Sequence, residues 1–458
     1  MHERTLRRWT APAAVALAAA TLSLSAAART SETPASAQIA LDWNAAAVDA
    51  VRAAKIVEPA GTPPRPLYQT EGLLYLSYVQ AAVYDAVAKI TRRYEPYHRF
   101  RADARAASPE AAVAAAAYDT LVFYLGDPTG ALAARYAATV AALPADGATE
   151  RGLAVGKAAA EDIEALRAND GRNAPVKTSF GTPPAEPGVW VFAPPPSLQT
   201  PQTPWLASVR PFLLASPDQF RAPPPPALSS SQYAADLNET EAYGSATSTV
   251  RSPGQTAIAW FWNANNVNQV NQTLRGVAAQ HGLDLTDTVR LLAMGDVVTT
   301  DAGIACFDSK YAYRSWRPLT AIRDADVDGN AATTADPGWS PLGTTPNHPE
   351  YPSQHGCLIS SLGEVLATVL GTDAIDAAVP GAQGGATTLS TSQTFHTVRD
   401  LDAQLVDARV WIGFHFRGSV LAAENLGTAA AGWALRRDFL PVCERDDVLP
   451  RCDRHGDD

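Results

Sequence analysis

The 458-residue chain has only four cysteines, and none is grouped with histidine at zinc-ligand spacing, which sets zinc chemistry aside. Beyond its N-terminus it has no apolar run long enough to span a bilayer, which removes integral membrane enzymes from consideration. It also lacks positive charge overall. Thirty-six Lys and Arg against 47 Asp and Glu leave a net charge of −11, which argues against nucleic acid and anionic membrane surfaces as partners. No sustained two-residue alternation of apolar and polar positions appears, which argues against a β architecture.

What remains is helical periodicity. Leu76, Val79, Val83, Val87 and Ile90 form one stripe, and Ser108-Pro109-Glu110 reads as cap, first helical position and acidic first turn before an Ala-rich helix to Leu125. Further helices are expected over 131–143, 149–168 and 287–309, with Gly171 and Gly371 just past helix ends. The expected fold is all-α, with two packed helical bundles joined by a long Pro-rich connection.

Arg4, Arg7 and Arg8 before the apolar run from Ala11 to Ala28, with small residues at 26–28 and 35–37, read as a signal peptide over 1–37 and predict a secreted or periplasmic protein. An N-terminal bundle over 38–182 and a C-terminal bundle over 228–440 follow. Between them, 183–227 holds 14 of the 35 prolines, and its aromatics Trp190, Phe192, Trp205, Phe212 and Phe220 favour an ordered connection. In the polar tail, 441–458, Cys443 and Cys452 form the most natural disulfide. Cys306 and Cys357 either pair or remain buried thiols. Asp324, Asp326, Asp328 and Asn330 copy the first half of a calcium loop, although its twelfth position is Ala335 rather than a bidentate Glu.

Every cluster suited to chemistry falls in the C-terminal half. Lys310 and Arg317 are seven apart, which predicts one helix face, with Pro318 ending that helix. Ser353 stands at the N-cap of a helix whose stripe is Leu358, Leu362, Val365, Leu366 and Val369, so the N–H groups of Gln354 and His355 would face an anion. Arg409 and His415 are six apart, and Gly413 between them can break the helix so that both turn inward. Three cations, a hydroxyl and imidazoles suit a tetrahedral oxyanion, and in an acidic chain they mark a selective site.

The pattern K-x6-R-P, P-S-x-H, R-x5-H resembles the vanadium-dependent haloperoxidase and type 2 phosphatidic acid phosphatase superfamily, whose signature is KxxxxxxRP, PSGH, SRxxxxxHxxxD. Asp301-Ala-Gly-Ile, Trp316 and His348-Pro-Glu-Tyr-Pro look like its bacterial, secreted haloperoxidase branch. The resemblance implies that Lys310, Arg317, Ser353, Gln354 and Arg409 hold vanadate, that His415 is its protein ligand and that His355 is the acid/base, with Lys310 polarising bound peroxide. It implies hydrogen peroxide, a halide and a small organic acceptor as partners. His348 and Trp316 are candidates for the halide site, and an imidazole there fits bromide better than chloride. A soluble secreted acid phosphatase, with His415 as nucleophile, is the alternative on the same cage, and a catalytically decayed anion binder is the third reading. Gln354 replaces the glycine of PSGH, Ala408 the serine of SR, and Ser419 the final aspartate, so Glu424 or a backbone carbonyl is left to orient His415.

Overall fold

The computed structural model describes residues 34–56, 64–175, 186–194, 200–382, 392–442, 444–446 and 449–451. The expected leader, apart from its last few residues, and the expected Cys443–Cys452 disulfide lie outside these. Among the described residues thirteen α-helices carry the chain. The first five are α1 Pro34–Ala53, α2 Gln69–Thr91, α3 Pro109–Leu125, α4 Ala131–Ala142 and α5 Gly147–Arg167. Next come α6 Ser231–Gly244, α7 Pro253–Phe261, α8 Asn266–Gln280 and α9 Leu285–Tyr313. The last four are α10 Pro318–Arg323, α11 Gln354–Leu370, α12 Val398–Trp411 and α13 Arg417–Leu435. No helix among the described residues is long and apolar enough to cross a membrane.

Local chemistry sets the helix ends. The Ser108 hydroxyl accepts from the Ala111 amide at 3.1 Å with Pro109 in the first turn, and the Asp284 carboxylate accepts from Asp287 N at 2.8 Å to start α9. Gly371, at φ 69°, closes α11 in the left-handed conformation. Helices α3 and α5 approach closely because small residues line the contact; a Cβ on Gly156 would lie 2.3 Å from the Ala112 carbonyl oxygen.

The 29-residue helix α9 is buried along most of its length, as a helix in the middle of a core must be. It packs against α1 and α2 of the N-terminal group and against α8, α11 and α13 of the C-terminal group, so the two bundles share one helix. The described residues from Pro34 onward accordingly form one compact unit. The described parts of the Pro-rich connection are ordered against this core, with Trp190, Phe192, Trp205 and Phe212 buried and a 3-10 turn at Pro204–Ser208. Asp301 on α9 fixes the connection by accepting the amides of Phe212, Leu213 and Leu214 at 2.7, 2.7 and 3.0 Å. Burial pushes its carboxyl up to about 6 while those three N–H groups pull the other way.

Small antiparallel pairs decorate the helices: β1 Lys55–Ile56 with β2 Arg65–Pro66, β3 Ala374–Pro380 with β4 Ser392–Thr397, and β5 Glu444–Asp446 with β6 Leu449–Arg451. Strand β3 alternates after all, burying Ile375, Ala377 and Val379, but two Ala positions make the signal too faint to read. Of the two alternatives for Cys306 and Cys357, the structure takes the pair: a disulfide joins α9 to α11. One expectation is corrected here. The calcium loop is a structural turn. Asp328 accepts from Asn330 N at 2.7 Å and Thr333 Oγ1 at 2.8 Å, and Asn330 Nδ2 donates to the carbonyls of Leu228 and Ser230. Asp324 ends α10, Asp326 lies in a 3-10 turn, and no cluster of metal-ligating side chains forms among the described residues. With no Glu at the twelfth position, these groups are spent on holding the turn.

Candidate active site

Three chain reversals bring the basic clusters together. Lys310 occupies the last turn of α9, but Arg317 does not share its helix face as the spacing predicts. Arg314 adopts φ 50° and stops the helix, and Pro318 holds Arg317 extended at φ −81°, ψ 156°, so the second cation arrives from the following loop. Ser353 is the N-cap residue of α11, with Gln354 and His355 in the first turn. Helix α12 ends at Trp411, and Gly413 at φ 80° turns the chain back so that His415 N reaches the Arg409 carbonyl at 3.3 Å. A Cβ on Gly413 would lie 2.6 Å from the Gly244 carbonyl oxygen, so only glycine fits this reversal.

His348, Gln354, His355, Arg409 and His415 line a cavity of about 320 Å³. Its wall is polar, with Thr70 from α2, Gln202 and Thr203 from the Pro-rich connection, and Asn263 contributing. Lys310, Arg317 and Ser353 are fully buried next to these residues. Lys310 Nζ donates to the carbonyls of Pro349 and Glu350 at 2.9 and 3.0 Å. Arg317 donates through Nε to the His348 carbonyl at 2.8 Å and through one terminal nitrogen to the Phe414 carbonyl at 3.0 Å, and lies 3.2 Å from His415 Nε2 and 3.0 Å from His348 Nδ1. Arg409 donates to the Trp262 carbonyl at 3.2 Å and lies over the Phe414 ring. His355 Nε2 is 3.4 Å from the Ala264 carbonyl. Trp316 is placed elsewhere: it packs with Tyr233, Leu319 and Phe416 in a separate core cluster and does not line this cavity.

Sequence reasoning missed the carboxylate of the site. His415 Nδ1 faces Glu350 Oε1 at 2.8 Å, with both side chains buried, so neither Glu424 nor a backbone carbonyl is what meets that nitrogen. Glu350 is the one acidic residue in the stretch 344–357, and that was the available signal. The contact fixes the tautomer. Burial, followed by the charges of Arg317 and Lys310, drives the His415 pKa well down, so the ring is neutral. Its single proton sits on Nδ1, where a carboxylate accepts it. Nε2 then carries a lone pair beside Arg317, which can only donate.

The charge balance calls for an anion. Burial lowers Arg317 to about 10 and Arg409 to about 9, and it drives Lys310 well below its ordinary value, with Arg317 adding to the effect. His348 and His355 are also pushed strongly towards the neutral form, mainly by burial. Glu350, which burial raises to about 7 against the pull of Lys310 and Arg317, is the one carboxylate among them. Buried donors are also left over. Ser353 Oγ and Arg409 Nε have no hydrogen-bond partner, and Ser353 caps its helix without a side-chain bond. Leftover donors from a hydroxyl, a guanidinium and the α11 N-terminus fit a tetrahedral oxyanion such as vanadate or phosphate.

Residues 290–439 match the family model described as the VCPO second helical-bundle domain. The chain is 29% identical over 221 residues to a vanadium chloroperoxidase from Curvularia inaequalis, covering 40% of this chain. That match spans about a third of the relative's length, 36%. The fold is similar to a bacterial vanadium-dependent iodoperoxidase, with TM-score 0.71 at 19% identity, over 91% of this chain and 99% of that one. It is also similar to a holo-type bacterial vanadium-dependent chloroperoxidase, with TM-score 0.64 at 19% identity, over 83% and 94% of the two chains.

Proposed function

Since the chain belongs to the vanadium haloperoxidase family, we propose that it binds vanadate among Lys310, Arg317, Ser353, Gln354, Arg409 and His415 and oxidises a halide with hydrogen peroxide. The observation that carries this reading is His415, whose Nδ1–H donates to Glu350 and whose Nε2 lies 3.2 Å from Arg317. Bound vanadate would supply the electrophile that activates peroxide, with no change in its own oxidation state. The protein's tasks are then to hold charge and to move protons. A bound oxyanion would offset the burial that disfavours the charge on Lys310; its ammonium form has two protons committed to carbonyls, which leaves the third for an oxygen of the bound group or of peroxide. His355, neutral and lining the cavity, gives its Nε2 proton to the Ala264 carbonyl and keeps a lone pair at Nδ1 to take a proton from peroxide.

Bromide is the halide we assign, with a small organic acceptor downstream. His348, in the cavity wall and 3.0 Å from Arg317, puts an imidazole rather than an apolar ring beside the cage. With the N-terminal leader, this makes the protein a secreted or periplasmic peroxidase. The test is halogenation of an activated phenol by phosphate-stripped protein, which must require vanadate and peroxide together and run faster with bromide than with chloride. Hydrolysis of a phosphomonoester without vanadate, and no halogenation, would replace this reading with the phosphatase one, in which His415 Nε2 attacks phosphorus.

A further inference from the structure

One short segment organises most of the cage. The carbonyl of His348 accepts Arg317 Nε, and those of Pro349 and Glu350 accept Lys310 Nζ. The Glu350 carboxylate then takes His415 Nδ1 at 2.8 Å and the Phe416 amide at 3.2 Å through the same oxygen. Glu350 therefore reaches both the ring and the chain that leads into α13. Ser419 is buried in the first turn of that helix, and its carbonyl accepts the Ser353 amide at 3.2 Å. Glu350 and Ser419 border one small space of about 60 Å³, shared with Asp236 and Tyr233. Position 419 is also where the superfamily pattern has an aspartate. A hydroxymethyl group there is short, and the longer glutamate from the 348–350 segment fills the place beside the imidazole.

We propose that Glu350 is the positioning residue for His415, and that positions 350 and 419 are alternative seats for one carboxylate, occupied here from 350. Two observations support the exchange: the direct contact of Glu350 with His415 Nδ1, and the space shared with a side chain too small to hold a charge. The inference rests on the oxyanion reading of the cage, though not on turnover. Glu350→Gln keeps the shape and removes the charge. By the usual weight of a carboxylate behind a liganding histidine, it should weaken vanadate binding roughly 10- to 100-fold.

The experiment is calorimetric titration of phosphate-stripped protein with vanadate, alongside 15N NMR of the histidine rings, in wild type, Glu350→Gln and Glu350→Gln/Ser419→Asp. The double variant should recover most of the lost affinity and, by restoring a negative charge beside Nδ1, return the 15N shifts of the His415 ring to their wild-type values, which a residue needed only for packing would not do. If Glu350→Gln does not fold, Glu350→Asp takes its place; it keeps the charge one methylene short, and the same loss and the same rescue by Ser419→Asp are expected. Affinity unchanged in the single variant, or a folded double variant no better than the single, overturns the proposal. Wild type that binds vanadate tightly but never halogenates overturns the functional reading alone, because the Glu350 arms still report through affinity.

Discussion

Ser353→Ala separates an anion site from an ordinary helix start. An N-cap serine usually accepts a backbone N–H of the first turn, and its loss costs about 1 kcal/mol of stability. Ser353 occupies the N-cap of α11 with cap-like angles, φ −67° and ψ 121°, yet its side chain makes no capping bond and its oxygen is buried without a partner. Removing the hydroxyl should therefore cost the oxyanion-free protein almost nothing and could raise its melting temperature, because a buried unsatisfied group disappears. Oxyanion binding should respond in the opposite sense. A hydrogen bond to a charged group contributes about 1.5–3 kcal/mol, which is roughly a 10- to 150-fold loss of affinity.

The two quantities are read separately, by thermal unfolding of phosphate-stripped protein and by titration with vanadate and with phosphate. The loss should be similar for both ions, since the hydroxyl meets an oxygen in either case. A variant that melts several degrees lower without oxyanion and binds vanadate as wild type does would show that Ser353 is a plain cap, and would refute the orphan-donor reasoning for the cage.

Three further perturbations probe the frame around the site. Cys306→Ala/Cys357→Ala opens a cross-link across 51 residues; loop-closure entropy puts its contribution at about 4 kcal/mol, so chemical denaturation should shift to lower denaturant. Because the bridge ties the helix of Lys310 to that of Ser353, vanadate affinity measured below the unfolding range should fall with it. Gly413→Ala, forced to φ 80° against the Gly244 carbonyl, should lose about 1–3 kcal/mol of stability and most oxyanion binding, and calorimetry reads both. Asp296→Asn tests a buried carboxyl on α9 that is bonded to Asn271 at 2.8 Å through one oxygen and has no partner for the other. Burial raises its pKa to about 7, so the folded state binds more protons than the unfolded one between about pH 4 and pH 7, and wild-type stability falls as pH rises through that window. The asparagine variant should gain on wild type as pH rises from about 4 to about 7, and an unchanged difference in melting temperature would show that Asp296 is not the group responsible.

Features decided within one turn of chain were legible in the sequence. Ser108 and Pro109 mark the start of α3, Gly371 the end of α11, and Gly413 the reversal before His415, because capping and left-handed backbone depend on neighbours a few residues away. The Lys310 and Arg317 geometry was misread for a related reason. Seven residues equal two helical turns only if the helix continues, and Arg314, with no sequence signal for a left-handed conformation, ends it first. The Asp301 contact with residues 212–214 and the Trp316 cluster were out of reach, since each depends on which distant segment packs alongside.

The carboxylate of the site shows where motif reading stops and chemistry continues. A spacing rule records where earlier chains placed a group, whereas the imidazole requires only an anionic oxygen at hydrogen-bonding distance from Nδ1. At position 419 the rule finds serine, and the site looks incomplete. Across the fold, Glu350 meets the requirement from 65 residues away in sequence, on the segment that also supplies carbonyls to Lys310 and Arg317. The missing aspartate therefore does not argue for a decayed site. A neutral histidine with a fixed tautomer, beside two buried guanidiniums, a buried lysine and two unpartnered donors, is costly to maintain unless an oxyanion fills the place they share.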